Sequence, residues 1–206
     1  MVRDGTVEVR APLRASSTII QEFVAHKSAW IHKQIAEQQK KAQQVYQLKD
    51  GFYIPYRGKG YSIKIIQGKN SVTLTEQQIV ISTKSQEQLY INKLFDRWLL
   101  EQAKLYIPSR VYELAKAFGF FERLKGVKFR KTKTKWGHCN SQGLLQFNPL
   151  VMLTPDYVIQ YLIIHELCHL RHMNHSKAYW QLVDSFMPDY KSAEQWLKNH
   201  GYKLNY

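Results

Sequence analysis

The chain has 206 residues, 44% of them hydrophobic, and carries 30 Lys and Arg against 16 Asp and Glu for a net charge of +14. That apolar share can fill a core in one large domain or two small ones, and two cysteines, Cys139 and Cys168, exclude a disulfide-stapled scaffold. No apolar run approaches the roughly eighteen residues that cross a bilayer, and no N-terminal stretch combines a charged start, an apolar run and a small-residue cleavage site, so a reducing cytoplasm and no membrane partner are expected.

Val7 to Arg14 alternates apolar and polar residues ahead of Pro12, with turn chemistry at Asp4-Gly5, and reads as a short strand or hairpin. Ser16 or Ser17 offers an N-cap to a helix bearing Ile19, Ile20, Phe23 and Val24. A second helical run after Ser28 carries Trp30, Ile31 and Ile35 and trails into EQQKKAQQ, which reads as a solvated face rather than a binding code. From Phe52 to Thr83 the period changes to two, broken at RGKG, QGKN and EQQ. Each break is short enough for a hairpin, which predicts a four-stranded antiparallel meander.

Ser85 and Gln88 form a capping-box signature before a long helix with Ile91, Leu94, Phe95, Trp98 and Leu99 facing one way. Pro108 predicts a kink or break, after which Val111, Leu114, Ala115 and Phe118 resume the pattern as far as Gly119. The aromatic residues of this region read as core. Val127 to Thr134 is a strand pattern set with Lys128, Arg130, Lys131 and Lys133. Trp136-Gly137-His138-Cys139 follows, Asn140-Ser141-Gln142-Gly143 is turn chemistry, and Leu144 to Asn148 returns as a strand, so a hairpin of 127–134 with 144–148 is expected.

Thr154-Pro155-Asp156 then opens a helix with an N-cap, a proline at the first position and an acid at the positive end of the dipole. This helix is almost wholly apolar up to Ile164 and is followed by His165, Glu166, His169, His172 and His175. His165 and His169 are four apart, so their imidazoles share one helix face and can reach one metal ion. Glu166 is turned about 100° from His165, beside the metal, where a general base would act on metal-activated water. A chance H-E-x-x-H match on a solvated face is the competing reading, and the apolar run before the motif argues against it.

A catalytic zinc usually takes three protein ligands. His172 is about 10 Å along the axis from His165 on a straight helix, too far for one ion. His175 ligates if the helix stops near His172 and the chain folds back, which Asn174 allows because Asn tolerates the left-handed conformation. Asp184, Asp189 and Glu194 are the carboxylate alternatives, Glu194 foremost. Ser176 caps a further helix with Trp180, Val183 and Phe186, and Pro188-Asp189 opens a last one with Trp196 and Leu197, closing near Gly201. Cys168, between the ligand histidines on another face, reads as core.

The run HELCHLRHMNHSKAYW resembles the signature of the YgjP-like metal-dependent hydrolases, which are grouped with the WLM and SprT-like metallopeptidases. The resemblance implies His165, His169 and His175 as ligands of one Zn2+ per chain and Glu166 as catalytic base. Metzincins share the histidine spacing but carry Gly at the position of His172. YgjP-like proteins have Trp-Gly-Ser-Cys where this chain has Trp136-Gly137-His138-Cys139, so His138 replaces the Ser. The implied fold is α+β: a zincin-like core in 85–206, its HExxH helix packed on a small antiparallel sheet, preceded in 1–84 by an N-terminal helix and the meander. In such peptidases a strand edge beside the metal takes up extended substrate, and Leu144 to Asn148 or its hairpin partner is the candidate edge.

Three functions follow. The first is a zinc metallopeptidase, acting on nucleic-acid-associated proteins if the charge of +14 serves DNA contact; a basic balance also serves solubility alone. The second is a metal-dependent nucleotide phosphoanhydride hydrolase of the nucleoside triphosphate pyrophosphatase type, with Arg130, Lys131, Lys133 or Arg171 neutralising phosphate. The third is a non-catalytic nucleic-acid-binding module with a structural zinc, which an intact Glu166 opposes. His138 is a candidate substrate contact beside those cations.

Overall fold

The computed structural model describes residues 2–3, 6–204 and 206, and the chain divides after Val45 into two compact units. The turn expected at Asp4-Gly5 lies outside the described residues. In the first unit β1 (Val2–Arg3) pairs antiparallel with β2 (Thr6–Val7), and helices α1 (Ser17–His26) and α2 (Ser28–Gln43) follow. The Ser16 hydroxyl caps α1 by accepting from Ile19 N. Neither helix buries a residue, and Phe23, Trp30 and Ile31 line an open cavity of about 500 Å³ with Val7 and Val9.

The second unit, 46–206, begins with β3 (Tyr53–Tyr56), β4 (Lys59–Gln67), β5 (Ser71–Leu74) and β6 (Gln78–Thr83). Arg57 (φ 49°) and Gly58 (φ 82°) form the two-residue turn between β3 and β4, where positive φ at both positions matches the twist of a hairpin. The expected meander is corrected beyond that point. The strand order is β3-β4-β6-β5, with β4 and β6 parallel and only β5–β6 a second hairpin. The reason lies in what each strand must bury. Ile79, Ile81 and Thr83 of β6 are fully buried, whereas β5 has no buried residue, so β6 takes the interior position and β5 the edge.

Helix α3 (Gln88–Ala117) packs on this sheet and on the elements that follow it, burying Ile91, Phe95, Leu99, Ala103, Ile107 and Val111, a repeat of four that continues past Pro108. The expected break there does not occur. A proline costs a helix interior about 3 kcal/mol, and the continuous buried strip on both sides outweighs it. Ser85 does not form the expected capping box: its hydroxyl accepts from Glu87 N, one residue too early, and Glu87 is the N-cap. Gly119 (φ 74°) ends the helix in the left-handed position that glycine favours.

The second sheet contains β7 (Gly126–Phe129), β8 (Gly137–Cys139) and β9 (Leu144–Phe147) in the order β7-β9-β8. Here too the expectation changes. The hairpin is β8–β9, joined by a turn in which Asn140 Oδ1 accepts from Gln142 N (3.1 Å) and Leu144 N (2.9 Å), while β7 runs parallel to β9. The sheet is therefore mixed rather than antiparallel. Residues 130–135 form a loop, because the Asn148 amide holds the carbonyls of Thr132 and Lys135 and the Thr132 hydroxyl donates to the latter.

Helix α4 (Asp156–Cys168) is buried along nearly all its length, as its apolar sequence required. Thr154 does not cap it; its hydroxyl donates to Val151 O instead. The first turn is held by Asp156, which accepts both guanidinium hydrogen bonds of Arg57 at 2.8 Å, while Arg57 lies 3.8 Å above the Tyr106 ring. Helices α5 (Lys177–Phe186) and α6 (Tyr190–His200) pack against α4. Among the described residues no helix is long and apolar enough to cross a membrane.

The strand order is open to a direct check by denaturant unfolding. Ile81→Ala, in the interior strand, is expected to cost about 2–5 kcal/mol. Leu74→Ala, 37% exposed on the edge, is expected to cost less than about 1 kcal/mol; the opposite ranking would put β6 back at the edge.

Candidate metal centre

The side chains of His165, His169 and His175 converge, with one ligand atom from each lying within 4.8 Å of the others. Two come from the end of α4 and the third from the turn after it. The turn is made differently from the expectation on Asn174: among the described residues Arg57 is the only non-glycine with positive φ. The last turn instead tightens, Leu170 N bonding Leu167 O (3.0 Å) and Arg171 N bonding Cys168 O (3.1 Å). Arg123 then donates to Leu170 O (3.1 Å) from outside the helix. Such i to i−3 bonds satisfy carbonyls that a helix end leaves free.

The histidines fit a tetrahedral metal. His165 Nε2 and His175 Nε2 are 3.2 Å apart, close to the ~3.4 Å that two nitrogens span around an ion at about 2.0–2.1 Å. His169 Nδ1 lies 3.0 Å from His172 O and must donate to it, which leaves Nε2 as the free donor atom. Burial, then the charges of His169 and His175, depress His165 to a pKa of about 3; burial also lowers His169. Both rings are therefore neutral near pH 7, the form that binds metal. Tyr179, fully buried, donates to His165 O (3.0 Å) and stacks on the His169 ring at 4.6 Å. Trp180 stacks on the exposed ring of His175 at 5.6 Å.

Glu166 lies beside this cluster, 3% exposed, and its Oε2 is a buried oxygen with no hydrogen-bond partner. Burial lifts its pKa to about 8, against the opposing charge of Lys135. The room for its carboxyl exists because residue 137 is glycine. A Cβ there would stand 2.7 Å from Glu166 Cγ and Cδ and closer still to Oε1. Cys139, two residues on, faces the same side and is buried; burial and the Glu166 charge push its thiol up to about 12.

Strand β8 is the edge of its sheet. Asn148 N bonds Trp136 O and Asn140 N bonds Leu144 O, so the alternation of an antiparallel ladder turns His138 toward β9. The N–H and C=O groups of Gly137 and Cys139 then face outward along the open edge, next to Glu166.

These features meet in a comparison with known proteins. The family model described as YgjP-like, metallopeptidase domain, matches residues 1–200. The chain belongs to this family. As a YgjP-like metallopeptidase it is an enzyme, a metal-dependent hydrolase acting on peptides or proteins. No curated protein matches it. Among solved structures it is similar to the metallopeptidase zymogen abylysin of Pyrococcus abyssi (20% identity, 45% of this chain, 93% of that one, TM-score 0.40). The zymogen of Methanocaldococcus jannaschii jannalysin is similar at 18% identity over 45% of this chain and 94% of that one, with a TM-score of 0.41.

Of the other residues singled out in the sequence, His172 contributes its carbonyl to His169 and not its ring. Asp184 and Asp189 are outside the cluster, and Glu194 accepts from the Tyr161 hydroxyl. Lys131 is bound to Asp96 at 2.7 and 2.9 Å, and Arg130 lines the same apolar-floored hollow. Lys133 lines a separate polar hollow with Trp136 and Asn148, and Arg171 is exposed in the turn after α4. His138 is exposed on the sheet face opposite Gly137, though its charge still bears on His169. Tyr161 and Tyr179 were not singled out, and Gly137 and Trp180 were named without a role at the site. For Tyr161 the signal was present, since it stands four residues before His165 on the same face.

Gly137→Ala tests the contact with Glu166. The added methyl must displace the carboxyl, so turnover is expected to fall about 100-fold while metal content stays at the wild-type level. Unchanged turnover would show that Glu166 needs no such clearance.

Proposed function

We propose that this YgjP-like metallopeptidase is zinc-dependent, with His165, His169 and His175 holding the ion and Glu166 serving as general base. The observation that carries this reading is the pairing of a three-histidine cluster with a buried, unpartnered carboxylate oxygen. A zinc ion there supplies Lewis acidity, which acidifies water and polarises a scissile carbonyl.

The protein's own groups do the rest. Glu166, which burial alone would hold protonated and the charge of a bound metal would ionise, takes the proton from water as oxygen attacks the carbonyl carbon, and returns it to the leaving amine. An extended substrate adds to the open edge of β8, where Gly137 and Cys139 offer N–H and C=O groups at the spacing of a strand. The candidate edge thereby moves from the expected pair, since 144–147 is the interior strand and 126–129 runs parallel to it, to β8, which was not the expected hairpin partner. The net charge of +14 supports substrates carried on nucleic acid, such as DNA-associated proteins. Phosphoanhydride hydrolysis has less support, because Lys131 is neutralised by Asp96 and Lys133 lines a different hollow from Arg130.

The test is elemental analysis beside peptide cleavage. Wild type is expected to hold about one zinc per chain, and His175→Ala to lose most of it. Glu166→Gln is expected to keep the zinc and lose about 10²–10⁴-fold in turnover. A metal-free wild type after zinc supply, or an active Glu166→Gln variant, would overturn the assignment.

A further inference from the structure

Helix α6 reaches the surroundings of the metal centre through the Tyr190 ring, which stacks on Tyr161 and Trp180, and through one carboxylate, Glu194. Tyr161, on α4 and 4% exposed, donates its hydroxyl proton to Glu194 Oε1 at 3.1 Å. The same hydroxyl oxygen lies 3.4 Å from His165 Nδ1, at the long end for a hydrogen bond. A phenol has one proton and an ionised carboxylate has none to give. With the phenolic proton directed at Glu194, the oxygen can only accept, and His165 must carry its proton on Nδ1. Its Nε2, the atom facing His175 Nε2 at 3.2 Å, is then the bare donor.

We propose that Glu194 is a positioning residue: through the Tyr161 hydroxyl it holds the His165 imidazole with its proton on Nδ1 and its Nε2 turned to the metal. The inference rests on His165 being a metal ligand. Packing alone does not account for the arrangement. Tyr161 stacks on Tyr190 (6.4 Å, 16°) and meets His165 edge-on at 5.7 Å, contacts a phenylalanine would make equally well. What a phenylalanine lacks is the hydroxyl, and a buried hydroxyl is costly unless bonded. Glu194 is not itself among the converging ligand atoms, and its hydrogen-bonded path to His165 runs through the Tyr161 hydroxyl. Carboxylates so placed raise the basicity of a ligating imidazole and fix its tautomer.

The three ligands are thus oriented by three different devices: a backbone carbonyl for His169, an aromatic stack for His175, and the phenol and carboxylate for His165. Only the last depends on a side-chain charge from another helix.

The full-length protein, stripped of metal, is titrated with zinc against a chromophoric chelator, and the melting temperature of the metal-free form is read in parallel. Tyr161→Phe and Glu194→Ala are each expected to weaken zinc binding about 10–100-fold. The double variant is expected to be no weaker than Tyr161→Phe alone, because Glu194 acts through the hydroxyl. Glu194→Gln should recover part of the loss, since its amide oxygen still accepts from Tyr161. Unchanged affinity in Tyr161→Phe, additive losses in the double variant, or losses that follow the metal-free melting temperature would overturn the relay. His165→Ala separates the two readings. If it abolishes zinc binding while Tyr161→Phe leaves it intact, the relay fails and the ligand assignment stands; if His165→Ala binds zinc as wild type does, both fail.

Discussion

The burial of Glu166 is the constraint on which the rest of the second unit depends. A carboxylate taken out of water costs several kcal/mol unless something compensates it, and here one oxygen has no partner at all. The surrounding residues are chosen to allow that state rather than to relieve it. Gly137 leaves the space, Cys139 and the apolar residues of α4 exclude water, and Lys135 acts only at a distance from an exposed loop. A site that held its carboxylate in good hydrogen bonds would leave it a weak base. This one spends stability to keep it a strong one.

The same constraint accounts for the small sheet. If Gly137 must lie against Glu166, the strand that carries it must cross the end of α4, and its outward backbone groups cannot also serve a further strand. β9 therefore takes the interior place between β7 and β8, and the short β8 forms the edge. An open edge is ordinarily a liability for aggregation. A strand of only Gly137–Cys139 limits that liability while leaving two residues' worth of N–H and C=O groups exposed beside the histidines.

How far the chain could be read without coordinates depended on what each signal measures. Periodicity reports which face of an element is buried, so the helices around Ile19, Trp30, Phe95 and Trp180 were legible, and so was the convergence of His165, His169 and His175, which follows from helical spacing and an early helix end. Alternation does not report a strand's neighbour. Hence β6 was read as the last strand of a meander although it lies between β4 and β5, and β7 was paired in antiparallel fashion with β9 although it runs parallel to it. Gly137 was visible in the motif but not its reason, because the clearance it provides concerns a residue 29 positions later in the sequence. Tyr161 stood at a readable spacing, four residues before His165, but in an apolar helix a tyrosine reads as core until its hydroxyl is traced.

The division of orienting devices among the histidines has a consequence for how the site assembles. His169 is set by a carbonyl three residues away and is in place once the end of α4 forms. His175 depends on Trp180 from α5, and His165 on Glu194 from α6. The ligand set is therefore complete only when both following helices have docked on α4. Because a metal that binds only the native state adds its binding free energy to folding, the ion would stabilise that docking in turn. The clustered neutral imidazoles, a cost in the chain by themselves, would then become the means by which a bound metal holds α4, α5 and α6 together.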